Sequence, residues 1–275
     1  MAVINTNISA LKATNSSNMA NKMLGTAMER LSTGKRINGA KDDAAGLAIA
    51  TSMTAQIKGM NQGVRNSNDG ISLAQTAEGA LNEVTNMLQR VRELAVQSAS
   101  GTYQDGTDRA YMQTEVDELT QQLDQIVTNT KFNGVQLFDG TVSTVTVQTG
   151  ANGSDTVDLT MADLTTLAAS GGAAGSYDVS TATAANTLLG TLDTELDSIS
   201  SARATLGAGM NRLESVVNNL NDNITNLSDA RSRIQDTDYS TETTQMAKAQ
   251  ILSQASTAMI AQANQSQQNV LSLLR

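Results

Sequence analysis

Apolar residues recur every three or four positions along two long stretches of the chain, 53–95 and 189–234. This spacing places them on one face of a helix, and its persistence over several heptads is typical of helices that pack side by side as in a coiled coil. Ser67 and Glu78 interrupt the first stripe, because each stands where an apolar residue is expected. The pattern predicts a helix over about 44–98 and another long helix along the second stripe.

A shorter stripe with the same alternation of three and four covers 112–126. It predicts a third helix, and the Asn133–Gly134 pair that follows is expected to end it. The C-terminal stripe is the most regular of the three, and fully buried Leu and Ile side chains stabilise such a bundle by about 1.5–3 kcal/mol each. The two flanks of the chain are therefore expected to pack against each other.

The segment between these flanks, 141–185, is rich in Ser, Thr, Ala, Gly and Asp. Apolar and polar residues alternate over 142–147 and 156–161, which predicts two strands joined by a loose turn at 150–155. That turn also resembles one unit of the calcium-binding nonapeptide repeat. The resemblance is weak, because Ala151 replaces a glycine and the unit is not repeated.

The two ends of the chain carry thinner stripes than the middle. Large apolar residues are few there, and small or polar residues separate them. The stripes contain Ile4, Ile8, Leu11, Met19, Met23, Met28 and Leu31 at one end, and Leu252, Ala255, Met259, Ala263, Val270 and Leu273 or Leu274 at the other. Neither segment holds enough apolar surface to fold alone. We expect both ends to be disordered in the free subunit and to become helical only when packed against other copies.

Composition restricts the possible chemistry. The 275-residue chain has no Cys, His, Trp or Pro, and aromatic residues make up 2% of it. Thiolate and imidazole catalysis, disulfides and zinc or haem sites of the usual ligand types are therefore excluded. The adjacent Asp42 and Asp43 leave two interpretations open, a paired-carboxylate site or carboxylates that stabilise the start of the following helix. We expect no enzymatic activity, no cofactor and no bound metal.

Charge is spread unevenly along the chain, whose net charge is −9. Residues 1–60 hold seven basic and three acidic side chains, whereas 141–202 hold seven acidic and no basic ones. Because the basic residues are dispersed and no aromatic residues accompany them, we interpret them as solvated surface rather than a nucleic-acid site. No apolar run approaches the roughly 20 residues of a membrane span, and the first fifteen residues do not resemble a cleavable signal peptide.

Several long strings of the sequence resemble bacterial flagellin. The chain opens with MAVINTN, and residues 31–50 read LSTGKRINGAKDDAAGLAIA. Further strings lie at 68–81, 88–99, 203–207, 211–214 and 231–274. The resemblance covers about 1–140 and 186–275, which is nearly everything except the insert.

The resemblance implies a mainly α fold, a long coiled-coil-like helical bundle rod that the N- and C-terminal flanks form, with a small β-hairpin insert. It implies an inner domain of the paired terminal helices, 1–43 with 236–275, and a rod domain, 44–140 with 186–235. The variable insert, 141–185, is too short for the outer domains of larger flagellins.

A flagellin is a secreted, extracellular structural subunit that polymerises into the helical filament of the bacterial flagellum for swimming. The resemblance implies export as an unfolded chain by the flagellar type III system. Its implied partners are other flagellin subunits, the filament cap protein, the hook-associated junction proteins and an export chaperone. A minor flagellin or a junction-type protein is an alternative within this machinery, and a secreted calcium-dependent adhesin is an alternative from another class.

Two sets of candidate site residues follow from the resemblance. The assembly contacts are Ile4, Ile8, Leu11, Leu271 and Leu274. The surface that the innate immune Toll-like receptor for flagellin reads comprises Gln89, Arg90, Leu94 and, at a spacing shifted by one residue, Glu115. Because subunits are expected to bury this surface in the filament, receptor recognition would require the monomer. Ser and Thr residues of the insert are candidates for O-linked sugars, as in some flagellins.

Overall fold

The computed structural model describes residues 6–165, 167 and 176–272. That part of the chain forms five α-helices and two small antiparallel sheets. The helices are α1 (Ile8–Thr33), α2 (Ala44–Ala99), α3 (Asp108–Asn129), α4 (Ala182–Gln235) and α5 (Tyr239–Ser272). The strands are β1 (Lys131–Phe132), β2 (Val135–Gln136), β3 (Thr144–Gln148) and β4 (Thr156–Thr160). The expected mainly α fold with a small hairpin insert is confirmed.

The chain divides into two compact units, each containing parts from both flanks. The terminal unit is Met1–Ala55 with Thr225–Arg275, and the central unit is Gln56–Ile224. Helices α2 and α4 contribute residues to both units. The division into an inner domain, a rod domain and an insert stays a prediction.

In the central unit, α3 and α4 both run antiparallel to α2. Arg90 of α2 pairs with Glu115 of α3, and Arg109 near the start of α3 contacts Ser98 at the end of α2. Leu81, Val84, Leu88 and Val91 of α2 are at most 1% exposed and form one apolar core with side chains of α3 and α4. The three stripes that the sequence shows therefore meet in one core.

The two interruptions of the α2 stripe each have a partner. Ser67 is fully buried, and its hydroxyl donates to the carbonyl oxygen of Gly63 one turn earlier. Arg203 of α4 donates from Nε and Nη2 to Glu78 Oε1, at 2.9 and 2.8 Å. Both polar groups are satisfied where they stand, so neither breaks the helix.

The buried face of α4 departs from the expected stripe near its beginning. Leu188 and Glu195 are buried, whereas Leu189 and Leu196 are only partly buried. Glu195 tolerates this position because the buried Tyr177 hydroxyl donates to its Oε2 at 2.6 Å. A stripe read from apolar residues alone misses such a polar core position.

The β3–β4 hairpin of the insert is confirmed. Its strands pair antiparallel from Thr144 opposite Thr160 to Gln148 opposite Thr156. The inward side chains of Val147, Val157 and Leu159 join the core. The hairpin thus provides one side of the packing of α2 and α4.

The prediction that Asn133–Gly134 ends the third helix was wrong. Helix α3 already ends at Asn129, and Asn133–Gly134 is instead the two-residue turn of the β1–β2 hairpin. Both residues have positive φ, 49° and 83°, as a type I′ turn requires. Asn–Gly between short strands is a hairpin signal, and here it was interpreted as a helix stop.

Candidate assembly surface

Helices α1 and α5 pack antiparallel in the terminal unit. The Asn7 side chain donates to the carbonyl oxygen of Ala263 at 3.0 Å at one end of the pair. At the other end, the Tyr239 hydroxyl donates to the carbonyl oxygen of Leu31 at 2.9 Å. The two ends of the chain therefore pair within one molecule. That they order only upon assembly stays a prediction.

Small residues form most of the fully buried contact between α1 and α5. Ala20 and Ala27 of α1 are buried and lie seven residues apart. On α5, Ala249, Ser256 and Ala263 are buried at the same spacing, and one heptad earlier the buried Glu242 pairs with Arg30 of α1 at 3.7 Å. Because small side chains at heptad spacing let two helices approach closely, these residues form a continuous seam. The seam uses little apolar surface, which explains the thin stripes in the sequence.

The two helices also carry partly buried large apolar side chains, namely Leu24, Leu31, Met246 and Ile260. The other large apolar side chains of α1 and α5 lie outside this seam. In the described part of the chain they are between 40 and 66% exposed. They are Ile8, Leu11, Met19, Met23 and Met28 on α1, and Tyr239, Ile251, Leu252 and Met259 on α5. We call these nine residues the outer flanks of the terminal pair. Such a concentration of exposed apolar side chains is typical of a protein interaction surface.

The helix pair is fixed at the base where α1 ends and α5 begins. Gly34 caps α1 with a φ of 70°, and its carbonyl oxygen accepts from the Thr237 backbone N–H at 3.0 Å. An antiparallel bridge joins Lys35 to Asp236, beside a 2.7 Å bond from the Arg36 backbone N–H to the Gln235 carbonyl oxygen. These bonds set the starting register of the seam.

Asp42 and Asp43 act as local caps. Asp42 Oδ2 accepts from the backbone N–H groups of Asn38 and Gly39 at 3.0 and 3.1 Å, and these bonds lower the pKa of the Asp42 carboxyl. Asp43 Oδ1 accepts from the Gly46 backbone N–H at 2.8 Å in the first turn of α2. This geometry favours the capping interpretation over a paired-carboxylate site.

Of the sequence-derived assembly contacts, Ile8 is 51% and Leu11 is 55% exposed, and neither belongs to the intramolecular seam. Ile4 and Leu274 lie outside the described residues, as does the side chain of Leu271. Sequence reasoning did not single out the α5 residue Ile251, which is 65% exposed. The sequence signal that could have identified Ile251 is its position next to Leu252, which belongs to the C-terminal stripe.

The candidate receptor surface lies on α2 and α3 of the central unit. Arg90 Nη2 is 2.7 Å from Glu115 Oε1, Arg90 Nη1 is 3.1 Å from Glu93, and these hydrogen bonds raise the pKa of the guanidinium. Gln89 is exposed beside Arg90. The expectation that Leu94 belongs to the receptor surface is corrected by the structure, because Leu94 is 2% exposed and lies in the core. It supports the patch from beneath and is not part of its surface.

The turn at 150–155 is held by its own protein contacts. Asp155 Oδ2 accepts from the backbone N–H and the side-chain amide of Asn152, both at 3.1 Å. Across the described residues, no three Asp or Glu side chains are grouped as metal ligands would be. No described helix is long and apolar enough to cross a membrane.

Paired terminal helices with exposed apolar flanks, attached to a coiled-coil-like core, define a structural protein that packs with other copies. The model of the bacterial flagellin N-terminal helical region matches residues 4–143, and that of the C-terminal helical region matches 189–274. The chain therefore belongs to the bacterial flagellin family, and it is a subunit of an extracellular flagellar filament.

Individual relatives agree with this family. A flagellin of Halalkalibacterium halodurans is 45% identical over 99% of this chain and 100% of its own length. A flagellin of Bacillus subtilis is 44% identical over 99% of both chains. The crystal structure of Bacillus cereus flagellin is 32% identical and aligns with a TM-score of 0.50 over 57% of this chain and 88% of that one. The family is one of structural filament proteins, in which the subunits assemble with one another.

Proposed function

We propose that filament assembly covers the outer flanks of α1 and α5 with neighbouring subunits. The observation that carries this proposal is that nine large apolar side chains of the two helices are exposed, while the fully buried contact between the helices is formed mainly by small residues. Each large apolar side chain that a neighbour buries contributes about 1.5–3 kcal/mol. A heterologous contact whose rotation does not close generates an open helical filament.

Ile8 and Leu11 are the contacts of this surface that both the resemblance and their exposure support. Replacing both with Ser should block polymerisation while leaving the central helices folded, because their burial within the chain is small. Lys12→Ser is the matched control, since it shortens another exposed side chain of α1 without removing large apolar surface. Ile4, Leu271 and Leu274 extend the same surface by the resemblance.

A broader test removes both terminal helices. A chain limited to 44–235 should retain the helical signal of the central unit and lose the capacity to form filaments. Negative-stain electron microscopy after salting-out provides the measurement, with the full-length chain as control. Filaments of normal length from the truncated chain would contradict the proposed role of the outer flanks.

The subunit reaches the filament as an unfolded chain that the flagellar type III system exports, with an export chaperone before export and the cap and junction proteins at the filament. The lack of Cys supports this route, because no disulfide can lock the chain before passage. The filament then acts as the propeller for swimming. We expect a strain that lacks the export apparatus to release none of the protein into the medium. We also expect deletion of the gene for this protein to abolish swimming.

The exposed patch of Gln89, Arg90 and Glu115 is the surface for an innate immune flagellin receptor. Arg90→Ala should weaken the receptor response to the monomer, because it removes the guanidinium that organises Glu115. Arg92→Ala is the matched control, since Arg92 is also ion-paired on α2 but bonds to Asp193 of α4. An equal response to all three proteins would refute this assignment.

A minor flagellin or a junction-type protein is the alternative within the flagellum, and deletion of the gene distinguishes it. Loss of the entire filament indicates the main subunit, whereas a short or modified filament indicates the alternative. A calcium-dependent adhesin is the alternative from another class. Compaction upon addition of calcium, without filaments, would favour the adhesin.

A further inference from the structure

The methionines of this chain fall into two groups by exposure. Met19, Met23, Met28 and Met259 are 66, 40, 56 and 62% exposed, and all four belong to the outer flanks of α1 and α5. By contrast, Met60, Met112 and Met161 of the central unit are between 5 and 9% exposed. The other methionines of the described part, Met53, Met87, Met210 and Met246, are partly buried. The exposed methionines therefore coincide with the proposed assembly surface.

The composition makes these thioethers the most oxidisable exposed groups. The chain has twelve Met but no Cys, His or Trp. A hydroperoxide transfers one oxygen atom to the thioether sulfur, so the sulfur loses two electrons to become a sulfoxide and the peroxide is reduced to water or an alcohol. The product is a polar group where the apolar side chain stood, and such a change disrupts Met-rich interfaces.

We propose that Met19, Met23, Met28 and Met259 are oxidation sites for hydroperoxides, and that their conversion to sulfoxides blocks addition of the free subunit to a filament. This inference rests on the proposed assembly surface. Once a neighbouring subunit covers the outer flanks, the same sulfurs lose access to the oxidant. Oxidation thus acts on the subunit before assembly, and assembly protects the subunit afterwards.

The positions of Met19 and Met23 indicate that oxidation would disturb contacts with other copies rather than the seam between α1 and α5. Met19 and Met23 lie four residues apart and so are neighbours on the α1 surface. They flank the buried Ala20, so an added sulfoxide oxygen lies beside the small-residue seam without having to enter it. Where α1 and α5 are paired, the added oxygen therefore leaves the seam intact, and the loss should be confined to contacts with other copies.

The test begins with purified monomer treated with hydrogen peroxide. Peptide mass spectrometry gives the oxidation rate of each methionine, and seeded polymerisation onto filament fragments gives the assembly rate. We expect the four outer methionines to oxidise at least about fivefold faster than Met60, Met112 and Met161, and the oxidised monomer to assemble at least about tenfold more slowly. In preformed filaments the four rates should fall to those of the buried group.

Variants separate the sulfur chemistry from the surface itself. A chain with the four outer methionines replaced by Leu keeps the apolar flanks, so it should assemble normally and remain competent after peroxide. The matched control replaces Met60, Met112 and Met161 with Leu and should stay sensitive. Because the fourfold variant changes packing, a second measurement uses oxidised wild-type chain, in which methionine sulfoxide reductases for both epimers should restore assembly.

Normal assembly of a wild-type monomer whose four outer methionines are fully oxidised would overturn the inference, as would equal oxidation rates for exposed and buried methionines. The inference would also be overturned if peroxide slowed the assembly of the fourfold Leu variant as much as that of the wild-type chain. Failure of the assembly surface itself is distinguishable, because then the Ile8→Ser, Leu11→Ser double variant would polymerise without any oxidant.

Discussion

Gly63 of α2 is the position where a single methyl group tests the packing of the central unit. A Cβ at this residue would lie 2.6 Å from the carbonyl carbon of Thr149 and closer still to its oxygen, and the next contact is the Gly150 backbone nitrogen at 3.2 Å. The obstacle is the backbone of the β3–β4 hairpin, which cannot rotate aside as a side chain can. Gly63→Ala therefore requires the tip of the hairpin to move away from α2.

Gly79 provides the matched control on the same helix, because a Cβ there meets nothing within 4 Å. Gly→Ala within a helix gains about 0.5–1 kcal/mol of intrinsic propensity. Gly79→Ala should therefore raise the free energy of unfolding by that amount. At Gly63 the same gain is opposed by overpacking, which typically costs about 1–3 kcal/mol. The net change at Gly63 is a loss of up to about 2.5 kcal/mol.

Because the propensity gain is common to both, the two variants should differ by the overpacking cost of about 1–3 kcal/mol in the free energy of unfolding, which corresponds to about 2–12 °C in Tm for a unit of this size. Thermal unfolding followed by far-UV circular dichroism measures the difference. Equal stabilisation by Gly63→Ala and Gly79→Ala would refute the reasoning, because it would mean that the hairpin does not rest on α2 at Gly63.

Three further predictions concern individual residues. The pKa of Asp238 is lowered by hydrogen bonds from the Thr241 side chain and from the backbone N–H groups of Thr241 and Ser240. Its stabilisation of α5 is therefore present above the unfolded pKa near 4 and is lost as pH falls through the lower folded value. Asp238→Asn keeps a cap without the charge, so pH-dependent unfolding should show a weaker acid dependence than wild type. Arg109 is 4% exposed and donates to the carbonyl oxygens of Ser98, Ser100 and Tyr103. Because Lys cannot satisfy this geometry, Arg109→Lys should lower the free energy of unfolding by about 2 kcal/mol or more, as measured by denaturant titration. Gly134 has a φ of 83°, so Gly134→Ala should lower stability by about 1 kcal/mol, and an unchanged denaturation midpoint would contradict the type I′ turn.

The long helices and the hairpin of the insert were accessible from sequence because they depend on local periodicity. A helix buries one face every 3.6 residues and a strand every second residue, so 53–95, 189–234 and 156–161 each carry their own signal. The same logic failed at Asn133–Gly134, where one short motif is compatible with two kinds of chain reversal. The β1–β2 hairpin has only two residues in each strand, too few for a period to appear.

Candidate site residues were accessible to different degrees. Ile8 and Leu11 were singled out by the resemblance, and their exposure agrees with their isolation as apolar residues in a polar helix. The burial of Leu94 could not be predicted from the sequence, since a Leu on a mixed helix face has no sequence mark that distinguishes core from surface. The buried position of Glu195 was equally hidden, because its acceptability depends on the Tyr177 hydroxyl eighteen residues away.

The amino-acid sequence by itself determined that this chain is a mainly α filament subunit without Cys or His chemistry. Only the tertiary structure decided which side of each terminal helix faces its own partner. Ala and Ser occupy most of the fully buried positions of the α1–α5 seam, and nine large apolar residues face outward, which reverses the usual assumption that the largest apolar side chains mark the core. The physical reason is that burial depends on which helix lies opposite, and residues more than 200 positions apart in the chain supply that helix.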